Sequence, residues 1–236
     1  MKQTIRFFGW DLHRYQPSSD PHAQLSAAIK YAGINVIFDI GANIGQFALD
    51  LRSVGYKGKI VSFEPLSSAH SILSKNARLD TNWLVHPKAA IGEKEGTTEI
   101  NISGNSVSSS ILPMLDSHSS AANDSAYINR EKVNITRIDT ISDQYLDRNS
   151  SLFLKIDTQG YEWQVLDGAI KTIDKANGIL IELSLVTLYK DQKLWLEIIN
   201  RLEESGFRLW TLQQGFTDPR NGQSLQMDAI FLRKKT

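Results

Sequence analysis

Val36-Ile37-Phe38-Asp39-Ile40-Gly41-Ala42-Asn43-Ile44-Gly45-Gln46-Phe47 reads as an apolar strand, a carboxylate, a tight glycine turn and the start of a helix. Such a turn leaves backbone N–H groups uncovered at the head of a helix, where an anionic ligand is favoured. About one strand later Ile60-Val61-Ser62-Phe63 again runs into an acid, Glu64, followed by Pro65. An acid at that distance from the glycine turn suits a ribose diol. The pairing points to a nucleoside-containing cofactor.

The glycine spacing narrows the choice. A dinucleotide fingerprint needs G-x-G-x-x-G for turn, pyrophosphate approach and helix packing, whereas here Gly41 and Gly45 enclose Ala42, Asn43 and Ile44. Asn43 stands where the middle glycine would admit a pyrophosphate. Asp39 would repel that group, and would attract the ammonium of S-adenosylmethionine directly or through water. The pattern therefore favours S-adenosylmethionine over NAD. The plainer alternative is a tight strand-to-helix turn with no ligand.

A chain of 236 residues with 41% hydrophobic content fits one α/β domain. Lys+Arg and Asp+Glu both total 26, so no global field draws it to nucleic acid or an anionic membrane. A small-molecule substrate is expected, with neither nucleic acid nor membrane as partner; oligomeric state stays open, a homodimer included. The absence of cysteine excludes disulfides, zinc-thiolate sites and thiol nucleophiles, in keeping with a reducing compartment. Residues 1–10 carry no apolar run long enough for a signal peptide or a membrane span, and the expected location is cytoplasmic.

Residues 1–33 read as an N-terminal cap holding a helix over 24–32, with Gly33 as its stop. From Asn35, strands at 35–40, 59–64 and 83–91 alternate with helices at 44–54 and 67–79, which predicts right-handed βαβ units and a parallel sheet. Segments 97–102 and 132–138 have period two, so an antiparallel hairpin is inserted over 97–138. The serine-rich stretch 103–130 inside it is either a functional lid or a disordered loop. The parallel pattern resumes with strand 152–157, a turn at Thr158-Gln159-Gly160, a helical run to about Ala176 and strand 178–183. An amphipathic helix over 191–204 leads to strands 207–212 and 227–232, whose short connection makes them antiparallel. The expected class is α/β: a Rossmann-like, mostly parallel seven-stranded sheet with an antiparallel C-terminal strand, in one domain whose core is 34–236.

Phe38-Asp39-Ile40-Gly41-Ala42-Asn43-Ile44-Gly45, Phe63-Glu64-Pro65 and Leu154-Lys155-Ile156-Asp157-Thr158-Gln159-Gly160-Tyr161-Glu162 form a recurring set with Val165-Leu166-Asp167-Gly168-Ala169. With Ile181-Glu182-Leu183-Ser184, Leu188-Tyr189 and Gln226-Met227-Asp228-Ala229-Ile230-Phe231, the sequence resembles the FkbM-type S-adenosylmethionine-dependent methyltransferases over most of residues 35–233. Many methyltransferases share the first two motifs, and the Lys-Ile-Asp-x-x-Gly-x-Glu block is far more specific. Gln159 departs from the pattern, since many members carry Glu there. The resemblance implies a class I methyltransferase fold and a cofactor site made of Asp39, Gly41, Ala42, Asn43 and Gly45 around the methionine part. Glu64 would hold the ribose hydroxyls and Pro65 would lie near the adenine. It also implies methyl transfer, mostly to hydroxyl groups of sugars, polyketides or other small metabolites.

Methyl transfer to an alcohol needs donor and acceptor held in line and a group that takes the hydroxyl proton. Asp157 is the leading candidate base, because it ends a parallel strand on the side where ligands of open α/β folds bind. Lys155 shares its strand face, with Cα atoms about 6.6 Å apart at ~3.3 Å rise per residue. A lysine inside such a strand needs a partner, and Asp157, Glu182 and Asp39 are available. Glu182 ends the next predicted strand and is the third catalytic candidate; a buried ion pair with no role in the reaction is the competing reading of Lys155 and Asp157. Ser109 and Ser110 are candidate acceptor-binding residues. The histidines lack metal-ligand spacing and no dense Asp/Asn cluster follows Asp157, so no metal is expected. An NAD-linked oxidoreductase or epimerase, and a cofactor-binding domain without turnover, are the alternatives.

Overall fold

The computed structural model describes residues 15–234, so positions 1–14 of the expected cap lie outside the described residues. Its helix, α1 (Pro21–Tyr31), starts earlier than 24, because the Asp20 side chain accepts a hydrogen bond from Ala23 N (2.9 Å) and Pro21 occupies the first helical position. β1 (Val36–Ile40), α2 (Gln46–Ser53), β2 (Lys59–Phe63) and α3 (Ser67–Ala77) follow the expected alternation. The strand expected over 83–91 is two: β3 (Trp83–Val85) lies beside β2, and β4 (Ala90–Ile91) belongs to another sheet. Between them Pro87, which has no N–H, cannot continue a ladder.

β5 (Gly96–Ser103) and β6 (Tyr127–Thr136) are the antiparallel hairpin, and β4 runs parallel on the other side of β6 to make a three-stranded sheet. β7 (Leu152–Ile156) precedes α4 (Glu162–Asp167) and α5 (Ile170–Lys175), two short helices in place of the single helical run to about 176. Gly168 lies at the break, where a Cβ would sit 1.9 Å from Gly92 O. β8 (Ala176–Ser184), α6 (Trp195–Glu204), β9 (Phe207–Gln214) and β10 (Gln226–Arg233) complete the chain. The large sheet has the order β3-β2-β1-β7-β8-β10-β9, with β10 antiparallel to both neighbours and the other pairs parallel.

Central parallel strands are covered on both faces, which is why β1 and β7 are buried along their whole length. Val36, Phe38, Ile40, Leu154, Ile156 and Ile181 join α4, α5 and α6 in one core cluster. Ile37, Phe153, Leu180 and Ile230 join α1, α2 and α3 in the other. Period two puts Asp39, Lys155, Glu182 and Asp228 on the second face, and register aligns Asp39 with Lys155 and Asp228 with Glu182. A polar row thus crosses β1, β7, β8 and β10 next to their carboxyl ends or, in the antiparallel strand, beside its start.

Candidate active site

The turn after β1 needs three left-handed residues in five: Gly41 (φ 77°), Asn43 (φ 47°) and Gly45 (φ 94°). Asparagine tolerates this conformation better than most side chains. Glycine is obligatory at 41, where a Cβ would meet Asp157 O at 1.8 Å. Gly41 N and Ala42 N donate to Phe63 O (3.1 and 3.0 Å), and Asn43 N donates to Glu64 Oε2 (2.8 Å). Glu64 Oε1 accepts from Leu66 N (2.8 Å), so this carboxylate ties the turn to the entry of α3. Burial pushes Glu64 up to about 7, against the pull of the two N–H groups.

Above the carboxyl ends of β1, β2 and β7 lies a cavity of about 370 Å³. Gly41, Ala42, Asn43, Glu64 and Pro65 all line it. Gly45 does not; it packs under the turn, where a Cβ would meet the Trp83 ring at 2.7 Å. Asp39, expected around the methionine part of the cofactor, does not line the cavity either. It is fully buried, with Oδ2 accepting from Ser62 Oγ (3.2 Å) and Oδ1 paired with Lys155 Nζ at 3.5 Å. Burial raises the pKa of Asp39, and Lys155 and Ser62 draw it back down.

Lys155 does line the cavity, and its Nζ also donates to Gly41 O (3.1 Å) and pairs with Asp157 Oδ2 (3.3 Å). Burial works against its charge, but Asp157 and Asp39 outweigh that and hold its pKa above the ordinary value. The side chain of Asp157 is 37% exposed against 10% for Lys155, and its Oδ1 accepts from Gln159 Nε2 (2.9 Å). Of the two acids paired with Lys155, Asp157 is therefore the one that the cavity reaches.

Glu182, expected at the same rim, is not part of the cavity wall. Its Oε2 accepts from Gln226 Nε2 (2.6 Å) and Gln159 Nε2 (2.9 Å), so Gln159 lies between it and Asp157. Burial first, then the neighbouring Asp157, Glu162 and Asp228, raise its pKa. Glu162 Oε1 accepts from Thr158 N (2.9 Å), Thr158 Oγ1 (3.2 Å) and Gly160 N (3.1 Å), clamping the turn that carries Gln159.

Ser109 and Ser110 both line the cavity. Ser109 Oγ accepts from Ser103 N (3.1 Å), and Ser110 Oγ donates to Gln159 O (2.6 Å). The connection that bears them docks on the loop after β8, through Leu115 N to Leu188 O and Lys190 N to Pro113 O, both 2.9 Å. Ser106, Val107 and Ile111 of the same connection also line the cavity. Asp228 also lines the cavity, and burial pushes it up to about 6. Its sequence signal was an acid next to the apolar run Ala229-Ile230-Phe231-Leu232, read only as part of a motif.

The wall fits a donor-rich cofactor, because Asn43 Oδ1 is buried there without a hydrogen-bond partner. Residues 39–209 match the methyltransferase FkbM domain. The chain belongs to the FkbM methyltransferase family. Its sheet is the class I methyltransferase fold, and S-adenosylmethionine is the cofactor of this FkbM methyltransferase. No curated protein matches the chain in sequence. Solved structures similar to it include TehB from Haemophilus influenzae, at 11% identity and TM-score 0.49, covering 92% of this chain and 63% of TehB. An rRNA methylase from Streptococcus thermophilus is 10% identical at TM-score 0.47, with 96% of this chain and 100% of that one covered. The TehB-like SAM-dependent methyltransferase of Corynebacterium glutamicum is 11% identical at TM-score 0.42, covering 98% and 94%.

Proposed function

We propose that this FkbM methyltransferase methylates a hydroxyl of a small polar acceptor, such as a sugar or polyketide-type metabolite. One observation carries the reading: a single cavity has the glycine turn with Glu64 and Pro65 along one wall and the half-exposed Asp157 along another. Its volume falls in the about 300–1,000 Å³ range of small-ligand sites. S-adenosylmethionine, when bound, supplies an electrophilic methyl group on a sulfonium. Gly41, Ala42 and Asn43 hold the methionine part, and Glu64 turns its remaining lone pairs to the ribose hydroxyls. Pro65 flanks the adenine. Ser109 and Ser110 border the acceptor, and Asp157 takes the proton from its hydroxyl. Lys155 fixes the second oxygen of Asp157, while Asp39 acts through Lys155 and Glu182 through Gln159.

Calorimetric titration with S-adenosylmethionine and a tritiated-methyl assay against pooled small polar metabolites test this reading. Glu64→Gln is expected to weaken cofactor binding. Asp157→Asn is expected to keep cofactor binding and to lower the transfer rate by about 10²–10⁴-fold, the usual worth of a general base. Failure of the wild-type protein to bind the cofactor discards the reading, and an Asp157→Asn variant with undiminished turnover removes Asp157 from the base role.

A further inference from the structure

Gln159 has every polar atom of its side chain engaged. Nε2 donates to Asp157 Oδ1 and to Glu182 Oε2, both at 2.9 Å, and Oε1 accepts from the buried Tyr189 hydroxyl at 2.9 Å. Its backbone carbonyl accepts from Ser110 Oγ at 2.6 Å, and Glu162 clamps the residues on either side of it. The backbone is left-handed at Gln159 (φ 54°), a conformation that a non-glycine residue keeps only where its surroundings fix it.

An amide is the one neutral, non-titrating group that gives two N–H bonds from a single nitrogen. Two carboxyls that share a site without such a donor relieve their repulsion by keeping a proton between them. The groups facing this point are Lys155 on β7, Asp39 on β1, Glu162 on α4, Glu182 on β8, Tyr189 after β8 and Asp228 on β10. Lys155 is already divided between Asp39 and Asp157. The amide's orientation follows from its partners: ionised carboxylate oxygens only accept, so the nitrogen faces Asp157 and Glu182, and the Tyr189 hydroxyl, 2.9 Å from Oε1 and 3.4 Å from Ser108 O, donates to the oxygen end.

Resting on the reading of Asp157 as the base, we infer that Gln159 is a positioning residue: its amide nitrogen bridges Asp157 and Glu182, aiming the first and giving both acids a shared donor. Gln159→Glu replaces the donor nitrogen with the oxygen of a third carboxyl, so the cluster must take up a proton beyond those that its buried acids already keep.

The test follows the ¹³Cγ resonance of Asp157 during a pH titration, assigned by its loss in Asp157→Asn. In Gln159→Glu the midpoint is expected to move up by about one pH unit or more, in line with like-charge carboxyl pairs. S-adenosylhomocysteine binding, measured by calorimetry, reports that the variant is folded. Tyr189→Phe, which takes away the hydroxyl that holds Oε1 and so loosens the aim of the amide nitrogen, is expected to move the midpoint in the same direction by less. An Asp157 resonance titrating as in the wild type in folded Gln159→Glu overturns the inference. Should that variant not bind S-adenosylhomocysteine, an unmoved midpoint in Tyr189→Phe overturns it instead. Neither readout requires turnover, so a wild-type protein that transfers no methyl group counts against the functional reading and leaves the carboxyl cluster to be judged by its own titration.

Discussion

Lys155 occupies the middle of Leu152-Phe153-Leu154-Lys155-Ile156, a strand buried along its whole length. A charge in that setting is tolerated only with a partner, and the side chain meets Asp39 at 3.5 Å and Asp157 at 3.3 Å. Lys155→Met would leave Asp39, fully buried, with Ser62 Oγ alone. Breaking one side of a buried pair typically costs about 3–5 kcal/mol, so urea unfolding of Lys155→Met is expected to show a loss of that order. The double variant with Asp39→Asn should recover part of it, because the stranded charge is gone; no recovery would mean that the lysine acts by packing its stem. That Lys155 needs an acid was legible in the sequence. Which acids was legible only in part: Asp157 shares the strand face of Lys155, but that Asp39 joins it and Glu182 does not emerges only when strand register sets Asp39 directly across from Lys155. Glu182 is taken instead by the amides of Gln159 and Gln226, one of them 44 residues away in sequence.

Elements with long apolar runs were readable because a strand covered on both faces has almost no polar position, as in Val36–Ile40 and Leu152–Ile156. β4 was not, because two residues cannot display a period and its sheet is chosen by a partner, β6, more than forty positions on. The break between α4 and α5 has a similar origin. Gly168 has φ −83°, so no backbone strain demands glycine there; the demand comes from Gly92 O, 1.9 Å from where a Cβ would stand. Gly168→Ala therefore forces α4 away from the segment after β4. A backbone atom cannot swing aside as a side chain does, and overpacking costs about 1–3 kcal/mol. A lowered midpoint in chemical denaturation is the expected result, and a midpoint equal to that of the wild type would show that α4 and the Gly92 segment separate freely.

Across the whole molecule the site concentrates acids that the fold holds away from water. Burial pushes Glu64 and Glu162 up to about 7 and Asp228 up to about 6, whereas their ordinary values are 4.5 for Glu and 3.8 for Asp. In the window from about pH 4.5 to 7, the folded protein keeps protons that the unfolded chain has released. Stability from these groups is thus fully present below their unfolded pKa and is lost as pH rises through the folded one. Each contributes at most about 1.4 kcal/mol per pH unit inside its window. Peripheral acids pull the other way: Glu131 beside Lys88 and Ser67, and Glu95 beside Arg137 and Thr140, are held below their ordinary values and lose stability only on further acidification. The two trends place the maximum on the acid side of neutrality. Melting temperature without cofactor is expected to fall between pH 5.5 and 8, and Glu64→Gln or Glu162→Gln should flatten that slope, because a neutral amide has no proton to lose. A melting temperature that climbs steadily over the same range would mean that the site's carboxylates are paired in the folded state. The row of acids beneath the cavity would then cost the fold nothing at neutral pH, and no stability would remain to be regained when a cationic ligand enters.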